Sequence, residues 1–277
     1  MKKKKKAIKP TQIAVVGDCD KLFRRRIITP PDLLICDSPY NLGMKYLNYD
    51  DSKPHDEFMD WMSHWLEGAY NALDDHGSLF IFAPDEWVAE VDMYCREELD
   101  LHRRSWIVWG FGFGVASQQN FARSHCHILY YTKHRTVFTF NADPIRVPSD
   151  RQLLYADKRA NPAGKLPNNT WVLQKEEMER ILPEDGTLWY ESRICGTFKE
   201  RKKHSPNQIP VAIMRRIVSA CSNVGDLVLD PFCGTGSSGV VCATLNRNWI
   251  GWDISKTCVN ESNRRITRSS IHEAEPS

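Results

Sequence analysis

A largely parallel α/β sheet with helices on both faces is the fold this sequence predicts, and three observations predict it. Short apolar runs alternate with amphipathic stretches along most of the chain. The 277 residues, 42% of them hydrophobic, suffice for one sizeable core. A glycine-rich segment, Asp230 to Gly239, stands between an apolar strand and a helix near the C-terminus, the place where such sheets hold a nucleotide.

Each element follows from its pattern. Thr11–Val16 and Asp32–Cys36 are apolar runs of strand length. From Asp56 to Leu73, Phe58, Trp61, Met62, Trp65, Leu66, Ala69 and Leu73 recur at helical spacing, and His76-Gly77 marks the stop. Ser78–Ala83 is the next strand and Glu86–Glu98 a helix, while Ser105–Trp109 and His127–Tyr131 are aromatic and β-branched runs suited to strands. The tryptophans are expected in the core. After Lys133 the periodicity fades among prolines, asparagines and charges, a loop-rich insertion. Order resumes at Pro210, where Val211, Met214, Ile217, Val218 and Cys221 mark one helix face. Leu227–Leu229 is a strand, Ser237–Leu245 a helix, Trp249–Trp252 a strand and Lys256–Thr267 a closing helix. The chain thus divides into a basic tail (1–10), one half of a domain (11–133), the insertion (134–203), the other half of the same domain (204–268) and a tail (269–277).

Composition removes several classes. No apolar run has the length of a membrane span, and the N-terminal lysines precede no apolar segment, so a cytoplasmic protein is expected. Nine cysteines without a CxxC pair argue against a disulfide framework and a thiolate zinc site. Ser124-His-Cys-His127 has no second ligand cluster and is not read as a metal site. The net charge is only +2, but basic residues bunch at Lys2 to Lys6, Arg24 to Arg26, and Lys199, Arg201, Lys202 and Lys203. Such runs are usually solvated faces or tails, though local patches are also what hold a polyanion.

Two segments carry chemistry. In the first, Gly234 and Gly236 let the backbone turn tightly against a ligand, and Asp253, at the end of the next strand, can accept hydrogen bonds from both hydroxyls of a ribose. With Gly239 the spacing also fits a dinucleotide site, so a nicotinamide oxidoreductase stays open at this point. Only one strand and one helix follow the turn, however, so the rest of the sheet must come from earlier in the chain, in a permuted order. The second segment, Asp37-Ser38-Pro39-Tyr40-Asn41, ends the apolar strand at Asp32–Cys36, where open α/β sheets bind their ligands.

These segments resemble the motifs of amino-group DNA methyltransferases. Asp37-Ser-Pro-Tyr40 is similar to their (D/N/S)-P-P-(Y/F) motif and Asp230-Pro-Phe-Cys-Gly-Thr-Gly236 to their FxGxG motif. Gly17-Asp18, the segments Cys195–Arg201 and Pro206–Pro210, and Ile250-Gly-Trp-Asp253 match further pieces in order. With the catalytic motif first and the cofactor motif last, the chain resembles the permuted β-class. Ser38 departs from the pattern, standing where a proline is usual, and one residue is inserted between His204 and Pro210.

The resemblance implies a Rossmann-like class I methyltransferase sheet with S-adenosyl-L-methionine as cofactor and double-stranded DNA as substrate. It implies that Asp37, Ser38, Pro39 and Tyr40 are catalytic. Asp37 and the Ser38 carbonyl would accept the amine hydrogens, and Tyr40 would stack on a flipped base. Cofactor roles fall by the same resemblance on Asp18 (adenine), Phe232, Gly234 and Gly236 (the turn), Asp253 (ribose), and Asp230, Asn207 and Gln208 (methionine end). The insertion, with Arg146, Arg151, Lys158, Arg159 and Lys165, becomes the DNA-reading region. An initial Asp favours adenine N6 over cytosine N4 as the target; a non-catalytic nucleic-acid-binding relative is the reading from another class. A homodimer and a cognate restriction endonuclease are compatible with the family and required by nothing in the sequence.

Overall fold

The computed structural model describes residues 10–25, 29–46, 48–115, 118–147, 149–171 and 207–272. The basic runs at 2–6 and 199–203, Arg26, the Cys195–Arg201 segment, Pro206 and the insertion beyond residue 171 lie outside these. Eight strands form one sheet: β1 (Gln12–Val16), β2 (Leu33–Cys36), β3 (Ser78–Ala83), β4 (His102–Val115), β5 (Arg123–Thr132), β6 (Thr170–Trp171), β7 (Leu227–Asp230) and β8 (Asn248–Asp253). Their order across the sheet is β1-β8-β7-β2-β3-β5-β4-β6. The α-helices are α1 (Cys19–Phe23), α2 (His55–Ala72), α3 (Val88–Met93), α4 (Asp150–Leu153), α5 (Val211–Cys221), α6 (Ser237–Thr244) and α7 (Lys256–His272).

Central strands buried on both faces read as continuous apolar runs, and the period of two sorts their side chains between two layers. In β2, Leu33 and Ile35 join Phe80, Phe82 and Val228 under Ile213, Ile217, Val241 and Ile266 of α5, α6 and α7. Leu34 and Cys36 join Leu79, Ile81 and Leu229 on the opposite face, under Met62, Trp65 and Leu66 of α2 and Val91 of α3. The result is the expected helix–sheet–helix sandwich. All eight described cysteines are buried and free, and no helix of the described residues is long and apolar enough to cross a membrane.

Three features depart from the sequence reading. The sheet is parallel except at β5, which runs antiparallel to both β3 and β4. Its short connection to β4 makes a hairpin, and consecutive strands so joined must oppose one another. Both hairpin strands also outrun the predicted five residues: β5 begins in the polar Arg123-Ser-His125, and β4 starts in His102-Arg-Arg104 and runs on through Gly110-Phe-Gly-Phe-Gly114, where alternating glycines break the strand signature. The predicted helix at 86–98 is α3 followed by a π-helical turn, Tyr94–Glu98, closed by Leu99 N–H donating to the Tyr94 carbonyl at 3.2 Å. Finally, the described part of the insertion, to residue 171, contains a 3₁₀ turn, the four-residue α4 and the two-residue β6 added to the edge of β4.

Connections leave β7 and β2 in opposite directions. From β7 the chain passes through α6 to β8 on one side; from β2 it passes through α2 to β3 on the other, and the two helices cover opposite faces. Neighbouring strands whose exits diverge leave a crevice between their carboxyl ends.

A buried acid braces the far half of the sheet. Asp92 is 4% exposed and accepts from Tyr131 Oη at 2.8 Å, Arg96 Nε at 2.9 Å and Arg103 Nη1 at 2.5 Å. Asp92→Ala leaves the buried Tyr131 hydroxyl and the Arg103 guanidinium without this acceptor and Arg96 with Glu97 alone, and is expected to cost about 3 kcal/mol. Urea unfolding reads this as a lower midpoint at an unchanged slope.

Candidate active site

At the crevice lies a cavity of about 460 Å³. Four adjacent strands, β1, β8, β7 and β2, deliver an acid to it at or just beyond their carboxyl ends: Asp18, Asp253, Asp230 and Asp37. At about 4.8 Å per strand this row spans roughly 15 Å. Every site residue expected from the sequence lines the cavity except Gly236, which shapes the turn beneath it.

The turn after β7 depends on two left-handed residues, Gly234 at φ +50° and Gly236 at φ +77°. A Cβ on Gly236 would lie 2.0 Å from Ser262 Oγ of α7, so close packing as well as backbone shape demands glycine. Gly239, one turn into α6, packs instead against Trp249 and Ile266. Asp253 is set by two backbone donors, Gly234 N at 3.0 Å and Ser255 N at 2.7 Å; burial raises its pKa and these bonds oppose the rise. Asp230 is 4% exposed. It accepts from the Ser238 hydroxyl, itself held by Trp249 Nε1 at 3.1 Å, and from Phe232 N at 3.2 Å. Burial pushes its carboxyl up to about 7, those two donors pull it down, and the Asp253 carboxylate adds to the rise.

Across the crevice, Tyr40 Oη donates to Asp37 Oδ1 at 2.8 Å and touches Cys126 Sγ at 3.4 Å. Burial, then the Asp37 charge, hold the phenol well above its ordinary pKa, so it acts as a donor. Trp87 Nε1 donates to the Tyr40 carbonyl at 2.8 Å. Ser38 is 8% exposed. Asp18 combines a local and a site position: it caps α1 by accepting from Asp20 N at 3.1 Å while it lines the cavity. On the wall formed by the resumed chain, Asn207 Nδ2 donates to Tyr46 Oη at 3.3 Å, and Gln208 is buried.

Sequence reasoning missed the aromatic wall of Tyr46, Tyr49 and Trp61. Trp65 and Trp249 are core as expected, but Trp61 faces the cavity, with its ring 5.6 Å from Tyr49 and 6.1 Å from Phe232. The usable signal was three tyrosines, 40, 46 and 49, crowded behind an active-site strand end. Among the basic residues assigned to DNA reading, Arg146 pairs with Asp143 at 2.9 Å, and Arg151 and Arg159 both pair with Asp157, at 2.6 and 3.0 Å.

Two cavity hydroxyls, Tyr49 Oη and Ser237 Oγ, are buried without a hydrogen-bond partner among the described residues. Buried polar groups are nearly always satisfied, and these sit where a polar ligand would meet them. The turn itself is testable: Gly236→Ala is expected to destabilise the protein by about 2 kcal/mol or more, through the positive φ and the overlap with Ser262. The same variant with Ser262→Gly should recover part of the loss in thermal denaturation.

Known proteins are similar to this chain in sequence and in fold. A type II methyltransferase of Haemophilus parainfluenzae, M.HpaI, is 34% identical over 235 residues, covering 85% of this chain and 68% of that protein. The DNA adenine methyltransferase YhdJ of Escherichia coli (strain K12) is 30% identical over 249 residues, covering 88% and 79%. The solved PvuII DNA methyltransferase (cytosine-N4-specific) superposes with a TM-score of 0.64 at 15% identity, covering 96% of this chain and 95% of that one. The M1.HpyAVI–SAM complex gives 0.58 at 20%, covering 92% and 100%. At those identities the two structures show a common fold. The profile of the DNA methylase family matches residues 31–264, from just before β2 into α7 and across both strand ends that bound the crevice. On that match and these relatives, the chain belongs to the N6/N4 DNA methylase family.

Proposed function

We propose that this chain transfers the methyl group of S-adenosylmethionine to the N6 amine of adenine in double-stranded DNA. The observation that carries the reading is one cavity with the Tyr40-held Asp37 carboxylate on one side and the Gly234–Gly236 turn with Asp253 on the other. The three cofactor-side acids of the row, Asp18, Asp253 and Asp230, spread over about 10 Å at roughly 4.8 Å per strand, suit a nucleoside joined to an amino acid, with Asp37 one strand further on for the reacting amine. Asp18 is assigned to the adenine, Phe232, Gly234 and Gly236 to the turn that lines the cofactor, Asp253 to the ribose hydroxyls, and Asp230, Asn207 and Gln208 to the methionine end. The unpartnered hydroxyls of Tyr49 and Ser237 fit a ligand rich in polar atoms.

S-adenosylmethionine supplies an electrophilic methyl on sulfur; the rest of the work belongs to the chain. An exocyclic amine is a weak nucleophile because its lone pair is delocalised into the ring. The Asp37 carboxylate and the Ser38 carbonyl accept its two hydrogens and so localise the pair toward the methyl. As the new N–C bond forms, the S–CH3 bond would break with its electron pair left on a neutral thioether; the positive charge that grows on nitrogen is stabilised by the carboxylate and the carbonyl dipole, and Asp37 takes the departing proton. Tyr40 provides a face for a base turned out of the duplex, without which the amine stays paired in the helix. Residues 134–203 read the flanking sequence. Adenine is favoured by Asp at position 37 and by the relative named a DNA adenine methyltransferase.

Incubation with duplex DNA and methyl-labelled S-adenosylmethionine, followed by digestion to nucleosides, is expected to yield N6-methyladenine, with Asp37→Ala reducing incorporation at least about a hundredfold, as expected for removing a group that stabilises transition-state charge. Label in N4-methylcytosine keeps the mechanism and changes the base; no label above the Asp37→Ala control on varied DNA sinks the enzymatic reading.

A pH dependence follows from Asp230. Its pKa is raised to about 7 in the free protein, so below that it is protonated and must release the proton to face a cationic ligand. Cofactor affinity should therefore rise between pH 5.5 and 7.5, by up to roughly tenfold per unit. Asp230→Asn should flatten that profile in calorimetric titrations; a flat profile in the unaltered protein removes Asp230 from the cationic end.

A further inference from the structure

Behind Tyr40 the chain makes a tight excursion that returns to its own base. Asp51, 2% exposed, accepts from Asn41 N on one carboxylate oxygen at 2.8 Å, and from Leu42 N and Met44 N on the other at 3.1 and 2.9 Å. Gly43 N donates to the Asp51 carbonyl at 2.8 Å. A second clasp lies beside it: the Asn41 side chain receives Lys53 N at 2.7 Å and gives Nδ2–H to the Lys53 carbonyl at 2.9 Å. Asn41 itself is left-handed, at φ +55°, a conformation that asparagine tolerates better than most residues. Burying a carboxylate is costly unless it is met by donors, and here three backbone N–H groups meet it, each a charge-assisted bond.

The place of this staple gives it a function. Asn41 follows Tyr40 directly, and Tyr40 is the residue whose hydroxyl holds Asp37. The stapled loop also carries Tyr46 and Tyr49 onto the cavity wall. Position 38, meanwhile, lacks the ring that would fix its φ. Pro39 confines Ser38 to extended backbone, but within a broad well.

We infer that Asp51 is a positioning residue for the reacting amine: its carboxylate, fastened to the Asn41–Met44 backbone, holds Tyr40 and Asp37 in register and supplies the stiffness that a proline at position 38 would otherwise give. The inference rests on the methyl-transfer reading of the site. It concerns the amine end, so its loss acts mainly on the transfer step, with only the smaller share that Tyr49 and the Asn207–Tyr46 contact on the same loop give to cofactor binding.

Three measurements on the full chain test it. Asp51→Asn replaces an acceptor oxygen with a donor against backbone N–H groups, and is expected to lower kcat on duplex DNA at least tenfold while the Kd for S-adenosylhomocysteine changes less than threefold. Adding Ser38→Pro to Asp51→Asn should recover kcat by fivefold or more, which a general loss of stability would not allow. Trypsin cleavage after the exposed Lys45 should accelerate about tenfold in Asp51→Asn, a readout that needs no catalysis. If Asp51→Asn does not fold, Asn41→Gly, which keeps the left-handed backbone and removes the second clasp, carries the same three measurements. A kcat within twofold of the unaltered protein, a loss confined to S-adenosylhomocysteine affinity, or no recovery by Ser38→Pro overturns the positioning role. Faster cleavage with no methyl transfer even by the unaltered protein would instead retire the methyl-transfer reading and leave the staple as a feature of the fold.

Discussion

Between β7 and β2 the chain leaves two hydrogen-bonded parallel strands toward opposite edges and opposite faces of the sheet. Helices α6 and α2 cannot both cover the gap this opens, so it stays a crevice, and the turns beyond the two strands must line it. The rest of the site depends on that divergence. It sets Asp230 and the glycine turn on one bank and Asp37 to Tyr40 on the other, with Asp253 and Asp18 continuing the row along β8 and β1. Parallel register then fixes the spacing, since Val16 pairs with Asp253 and Asp230 with Gly251.

Three buried acids show how the protein separates holding from working. Asp92 is answered by two arginines and a tyrosine, and Asp51 by three backbone amides. Both are satisfied within the fold and brace other groups. Asp230 is answered by a hydroxyl and one amide, and its carboxyl is held near neutrality by burial and by Asp253. An acid left short of donors in a cavity gains most from a cationic partner. The contrast is the reason for proposing Asp230 at the cationic end of the ligand.

The fold was legible where burial is two-sided. β2 and β3 read as unbroken apolar runs because helices cover both faces, and Asp37 and Asp230 were legible because a strand end is a definite place. The antiparallel sense of β5 was not, since direction leaves no mark on an apolar run. Helix α1 escaped because its five residues follow a capping Asp18 that doubles as a site residue, with no periodicity to see. Tyr46, Tyr49 and Trp61 escaped as well. Tyr46 and Tyr49 meet the cavity through a loop closed by Asp51 and Asn41, and nothing local in a sequence announces hydrogen bonds made ten residues away; Trp61 sits on the apolar stripe of α2 and reads there as one more core residue.

The permuted order has a physical consequence of its own. With β7, α6 and β8 placed after the insertion in the chain, the two banks of the crevice are joined through that segment, which follows β5, adds β6 to the edge of β4, and precedes the chain described again from Asn207. Asn141, early in that segment, is bonded to the end of α5 through Ala220 and Ser222, and Asn207, where the described chain resumes, reaches Tyr46 across the cavity. The segment proposed to read DNA therefore begins against the helix that precedes β7, and the chain beyond it, described again from Asn207, lies on the cavity wall. The described chain on either side of that segment thus touches both banks: Asn141 on α5, which leads to β7 and the glycine turn, and Asn207 on the stapled loop behind Tyr40.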